Sequence, residues 1–113
     1  MLARSLLGFV ALFAAPALAQ DWVVLKGAQI ERALDDRSVV YEAARQKFYA
    51  SGRTLYDNGR PSWGYWAVRG DQYCSQWPPA DGWACYDLAV TPDGSGVMFI
   101  SQTGYETKGL FEE

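Results

Sequence analysis

Only two cysteines stand in the 113-residue chain, and both fall in one stretch, "CSQWPPADGWAC", residues 74–85. Four chemistries fit such a pair beside two tryptophans and a Pro-Pro step: a metal site, a redox switch, a stapled turn and a ligand-binding loop. The chain has no histidine, which removes the commonest zinc ligand, and two thiolates alone do not complete a tetrahedral sulfur site. The spacing is not C-x-x-C, so the thioredoxin-type exchange motif is absent. In an exported chain two cysteines most simply pair, and Cys74–Cys85 is expected to be a structural disulfide. The chain-entropy model assigns ~3 kcal/mol to closing a loop of this length.

The other reactive side chains offer less. Without histidine, Ser-His-Asp and Cys-His nucleophile systems lack their base. No Gly-rich turn opens a helix in the manner of a phosphate loop. "DNG" and "DGSG" are acidic turns, without the spaced ligands and closing Glu of an EF-hand. Glu42, Asp57, Asp71, Asp81 and Asp87 could in principle supply an acid–base pair for glycoside cleavage. Four of these five lie near turns or strand ends, where Asp is ordinary, and nothing in their spacing fixes two carboxylates at a working distance. No catalytic residue, cofactor or metal is expected.

The aromatic residues are the remaining candidates. The chain carries five Trp, seven Tyr and five Phe, and most are explained as core filler, because each buries much area. "PSWGYW" and "WPPADGW" place Trp63, Tyr65, Trp77 and Trp83 near loop ends or on a mixed strand face. Rigid rings beside polar groups suit a sugar, peptide or protein partner. Their competing explanation is that they cover the hydrophobic ends of a small domain.

The elements that position these residues can be read in order. Arg4, the apolar "LLGFVALFAA" and "ALA" at 17–19 have the form of a secretory signal peptide over residues 1–19. The apolar run is shorter than the ~20 residues of a membrane span, so no span is expected after cleavage. Residues 20–113 then form one small domain, placed in the periplasm or secreted. It would hold nine Lys and Arg against thirteen Asp and Glu. These charges are scattered, without the basic stripe that nucleic-acid binding requires. "KGAQIERALDDRS" predicts a short helix, with Ile30, Ala33 and Leu34 on one face. Everything later reads as short strands: "SVVYE", "KFYA", "RTLYD", "SWGYWAV", "QYCSQW", "WACYDLAV", "VMFIS" and a last one near "KGLF". Asn58-Gly59 predicts a two-residue type I′ hairpin turn. The expected fold is α+β, one N-terminal helix packed on a curved antiparallel sheet of about seven short strands, with one disulfide.

Two markers fix an expected register for the central strands. A two-residue turn at Gly70-Asp71 sets Trp66 opposite Ser75 and Val68 opposite Tyr73. Pairing Cys74 directly with Cys85 sets Tyr73 opposite Tyr86 and Gln76 opposite Trp83. One face then collects Trp66, Val68, Tyr73, Tyr86 and Leu88, and the other the cysteines with polar residues. An apolar face and a mixed face are what a sheet packed on one side requires.

The sharpest residues in this pattern are Gly64, Trp66, Val68, Gly70, Asp71, Cys74, Trp77, Pro78 and Cys85. With "LKGAQI" before them, they resemble a loose class of short exported bacterial proteins of unknown function. That class carries a G-x-W-x-V-x-G-D-x-x-C-x-x-W-P hairpin and a second Cys. The resemblance implies a curved antiparallel sheet with one helix and no established activity. The expected role is non-catalytic: an accessory or binding module of the cell envelope, its partner an envelope protein or glycan. The alternatives are an inhibitor of an envelope-degrading enzyme such as a lysozyme, and a carboxylate-dependent hydrolase.

Overall fold

The computed structural model describes residues 21–113; the expected signal peptide lies outside the described residues. The chain begins with a short strand β1 (Val23–Leu25), followed by helix α1 (Ala28–Leu34). Eight strands follow: β2 (Arg37–Val40), β3 (Arg45–Phe48), β4 (Arg53–Asp57), β5 (Pro61–Arg69), β6 (Gln72–Gln76), β7 (Ala84–Val90), β8 (Gly96–Ile100) and β9 (Glu106–Phe111). Each of the eight pairs antiparallel with the next, and β9 returns to pair with β2. The result is a closed up-and-down barrel of eight strands with β1 as an extra strand, not the α+β fold expected from the sequence, one helix packed on a curved sheet of about seven strands.

Closure disposes of both sheet edges, and it decides where the helix goes. The interior of a barrel has no face left to cover, so α1 caps one end instead. Ile30 and Leu34 are fully buried there, in one cluster with Val39, Phe48, Trp66, Leu88, Val97 and Phe111. The helix enters at Gly27, whose φ of 53° favours glycine. It leaves through Asp36, which has a φ of 56°, a conformation Asp tolerates. The Asp36 carboxylate accepts from the Ala50 N–H at 3.0 Å, tying this exit to the β3–β4 turn.

The first strand, β1, is not among the strands expected from the sequence. It extends the barrel wall along one edge of β7. Residues Tyr73–Ser75 of β6 pair with Ala84–Tyr86, and Val23–Leu25 pair with Leu88–Val90 further along. The Asn58-Gly59 turn also differs: Asp57 faces Pro61 across three residues. Gly59 alone has a positive φ there, and its N–H is held by the Asp57 carboxylate at 2.8 Å.

The inner register is the one expected. Trp66 faces Ser75, Val68 faces Tyr73, Tyr73 faces Tyr86 and Cys74 faces Cys85. The apolar face is the barrel interior, and the mixed face is the outer wall. Cys74 and Cys85 are disulfide-bonded on that outer wall, with Cα atoms 4.0 Å apart. The closing seam is the shortest main-chain junction of the ring: only Val39↔Phe111 and Val40↔Leu110 pair. An exposed Arg45–Glu112 ion pair reaches across β2 on the outside of that seam.

Candidate functional site

The two ends of the barrel differ. At the helix end the interior is packed by Phe48, which meets Trp66 edge-on at 5.8 Å and Tyr73 edge-on at 5.7 Å between centroids. The Trp66 indole N–H donates to the Tyr49 carbonyl at 2.9 Å. At the other end the packing stops, and a cavity of about 780 Å³ opens to solvent. An eight-stranded barrel is just wide enough either to be filled by side chains or to hold one small ligand. This barrel is filled at one end only.

The cavity wall is built by strand alternation. Inward positions of successive strands supply Gln46 from β3, Tyr56 from β4, Ser62 from β5, Tyr73 and Ser75 from β6, Tyr86 from β7 and Phe99 from β8. Tyr41, just past β2, and Trp77, just past β6, complete it. The rings contact one another around the wall. Tyr41 lies 6.2 Å from Tyr56 and from Phe99, and Tyr73 lies 5.9 Å from Tyr86 and 5.1 Å from Phe99.

A polar layer separates this cavity from the packed end. Gln46 is buried, and its amide accepts from the Tyr41 hydroxyl at 2.8 Å while donating to Thr54 Oγ1 at 3.0 Å. Thr54 in turn donates to the Lys47 carbonyl at 2.7 Å. Burial pushes the Tyr73 phenol up to about 12, against the hydrogen bonds of Ser75 and Gln46, which lower it. Burial likewise raises the Tyr41 phenol. Both hydroxyls therefore stay protonated at neutral pH. The inward positions that line the wall carry no charged side chain; Glu42, Glu106 and Lys108 stand at the rim.

The structure separates the four candidate aromatics. Trp77 alone faces into the barrel mouth, its indole N–H donating to Ser75 Oγ at 3.2 Å and its ring edge-on to Tyr56 at 6.2 Å. Trp63 and Tyr65 project outward from β5 and are 47% and 43% exposed, Trp63 touching the rim. Arg53 lies over both rings, 4.5 Å from the Trp63 centroid and 5.8 Å from that of Tyr65. Trp83 precedes β7 on the outer wall, under the Arg69 guanidinium at 4.3 Å. Arg69 stands two residues along β5 from Ala67, which faces Cys74, and Trp83 stands two residues before Cys85; Cys74 is fully buried.

The five carboxylates singled out in the sequence are dispersed. Glu42 stands at the cavity rim. Asp57 holds its own turn, Asp71 lies in the β5–β6 turn, and Asp81 lies in the β6–β7 loop. Asp87 accepts from Gln72 on the outer wall at 3.1 Å. Among the described residues no group of three or more His, Cys, Asp or Glu side chains is placed to hold a metal ion.

Tyr41, Gln46, Tyr56, Ser75 and Tyr86 line the cavity without standing out as site residues in the sequence. The signal that could have found them is the inner face of the register continued around a closed ring. No family model, curated protein or solved structure matches the chain.

Proposed function

We propose that this protein is a non-catalytic binding module that takes an uncharged, ring-bearing small molecule in the open end of its barrel. One observation carries the reading: the interior is left unfilled at that end, and the unfilled part is walled by tyrosines, Trp77 and Phe99 above a layer of hydrogen-bonding groups. Such pockets bind by aromatic contact and orient by a few placed polar groups. The protonated Tyr41 and Tyr73 phenols and the Gln46 amide favour a ligand with hydroxyl or carbonyl groups, and the absence of charge at the inward positions lining the cavity disfavours an ion. A location outside the cytoplasm accords with the Cys74–Cys85 disulfide. No helix among the described residues is long and apolar enough to cross a membrane.

The test is titration of the protein with methyl 4-hydroxybenzoate, followed by backbone and indole NMR. Shifts are expected at Gln46, Tyr56, Tyr86 and the Trp77 indole, with the Trp83 indole unmoved. Shifts confined to the outer wall, or none at millimolar ester, would remove the reading.

A second reading rests on Arg53. It has no carboxylate partner among the described residues and lies over two exposed rings, an arrangement that suits a macromolecular partner such as an envelope protein or glycan.

A further inference from the structure

Two cavities lie on either side of the barrel's closing seam. The interior mouth and a second cavity of about 670 Å³ on the outer wall are both lined by Tyr41, Glu42 and Lys108. The topology explains why they approach each other there. The ladder between β2 and β9 ends at Val40↔Leu110, and β2 turns away there, the Tyr41 N–H donating to the Ala44 carbonyl at 2.8 Å. β9 continues beyond that point through Gly109, Lys108, Thr107 and Glu106, paired only with β8. The β8–β9 hairpin therefore stands taller than the β2–β3 hairpin beside it, and the rim is notched between them.

Gly109 forms the floor of the notch. A Cβ there would stand 2.6 Å from Val39 Cγ1, 2.9 Å from the Val40 carbonyl and 3.1 Å from Tyr41 Cδ1. The seam is thus closed tightly up to Gly109, and beyond it no main-chain pairing joins β9 to β2. Outside the notch an apolar strip runs between the polar Thr91 and Ser95 and the charged Glu42 and Lys108. Val40 and Leu110 are cross-strand partners, 39% and 62% exposed, and Trp22 lies beside them over Gly96. Glu42 and Lys108 line both cavities, and Glu106 at the mouth lies 3.9 Å from the Lys108 ammonium, so the one base there stands between two acids.

We infer that the ligand is a single-chain amphiphile: its uncharged ring head sits in the barrel, and its alkyl chain leaves through the notch to lie along Trp22, Val40 and Leu110. The inference rests on the reading of the mouth as a binding site and adds the chain. A head alone leaves the outer groove empty, whereas a chain wholly inside would meet the polar layer of Gln46, Thr54 and Tyr73. Each methylene fully removed from water contributes up to about fourfold in affinity.

Alkyl esters of 4-hydroxybenzoate separate the two ideas, because head and linkage stay constant while the chain grows. Calorimetric titration is expected to show the octyl ester binding at least about tenfold more tightly than the methyl ester. Leu110→Glu, or Val40→Glu from the facing strand, is expected to bring that ratio close to one. An octyl ester with a nitroxide at the chain end should broaden the Trp22 indole signal and the Leu110 methyl signals. If neither ester binds, the mouth reading itself fails. If the methyl ester binds but the octyl ester is no tighter, or the ratio survives both substitutions, the mouth reading stands and the exit through the seam is overturned.

Discussion

The Trp77 indole occupies the space that a side chain on Gly64 would need: a Cβ on Gly64 would stand 2.6 Å from Trp77 Cε3 and 2.7 Å from the Gln76 carbonyl. Gly64 is the inward residue of β5 opposite Thr54, so the missing side chain lets the ring lie against the barrel wall instead of across the mouth. Gly64→Ala is expected to lower stability by about 1–3 kcal/mol, the usual cost of overpacking, and to displace the indole. The Trp77 indole N–H resonance and a thermal melt check it. An unshifted resonance with an unchanged Tm would show that the missing side chain does not hold the ring in place.

Trp66 and Trp83 should differ sharply when truncated. Trp66 is 5% exposed and packs on Phe48 and Tyr73, so Trp66→Ala should cost about 3–5 kcal/mol. Trp83 is half-buried on the outer wall with Arg69, and Trp83→Ala should cost distinctly less. Denaturant unfolding of the two variants side by side decides it. Equal losses would contradict the assignment of inner and outer faces.

Removing the staple should weaken the barrel without opening it. Cys74 and Cys85 are already direct neighbours in the ladder, so the paired strands persist without the bond. The double variant Cys74→Ala, Cys85→Ala should lose up to ~3 kcal/mol and keep its far-ultraviolet spectrum. In the native protein, thiol labelling under denaturing conditions should give signal only after reduction.

Acid should act through the β7–β8 turn. The Asp93 carboxylate accepts from the Ser95 N–H at 3.0 Å, from the Thr91 hydroxyl at 2.7 Å and from the Ser95 hydroxyl at 2.8 Å. The bond from the Ser95 N–H is the largest of the effects that hold its pKa down at about 2, below the ordinary 3.8. A depressed folded-state pKa means that the stabilisation is complete above pH ~4 and is lost as pH falls through about 2. Asp93→Asn should flatten that limb of the stability profile while leaving the other carboxylates to titrate. An unchanged limb in urea unfolding between pH 4 and 2 would refute the assignment.

Export can be checked by mass. The protein recovered outside the cytoplasm should begin at Gln20, as cleavage after Ala17-Leu18-Ala19 requires. A mass that retains residues 1–19 would exclude cleavage at that site.

The pairing of β5, β6 and β7 is legible in the sequence because two independent markers, the Gly70-Asp71 turn and the cysteine pair, fix one register. Helix α1 is legible from Ile30 and Leu34. Closure is not. It depends on two residue pairs between Val39-Val40 and Leu110-Phe111, about seventy positions apart, and neither segment carries a local sign of its partner. The cavity is hidden for a related reason. Gln46, Thr54 and Ser62 are inward residues, yet as polar residues in alternating strands they read as a solvent face, and Ser75, though placed beside Trp66 by the register, carries no sign of a cavity. A barrel left partly unfilled inverts that rule, because part of its interior opens to solvent.

Helix α1 is tethered at both ends by very short connections, Lys26-Gly27 to β1 and Asp35-Asp36 to β2, and both strands belong to the barrel wall. A stopper on two short leashes cannot swing aside. To unplug that end, the chain would have to peel β1 off β7 or β2 off its neighbours, which is unfolding and not a gated motion. A ligand bound as proposed would therefore have only the mouth, and the proposed notch beside it, as a way in or out. On that reading, the rate at which such a ligand leaves would be set by the tall β8–β9 hairpin and the short β2–β3 hairpin, away from the core.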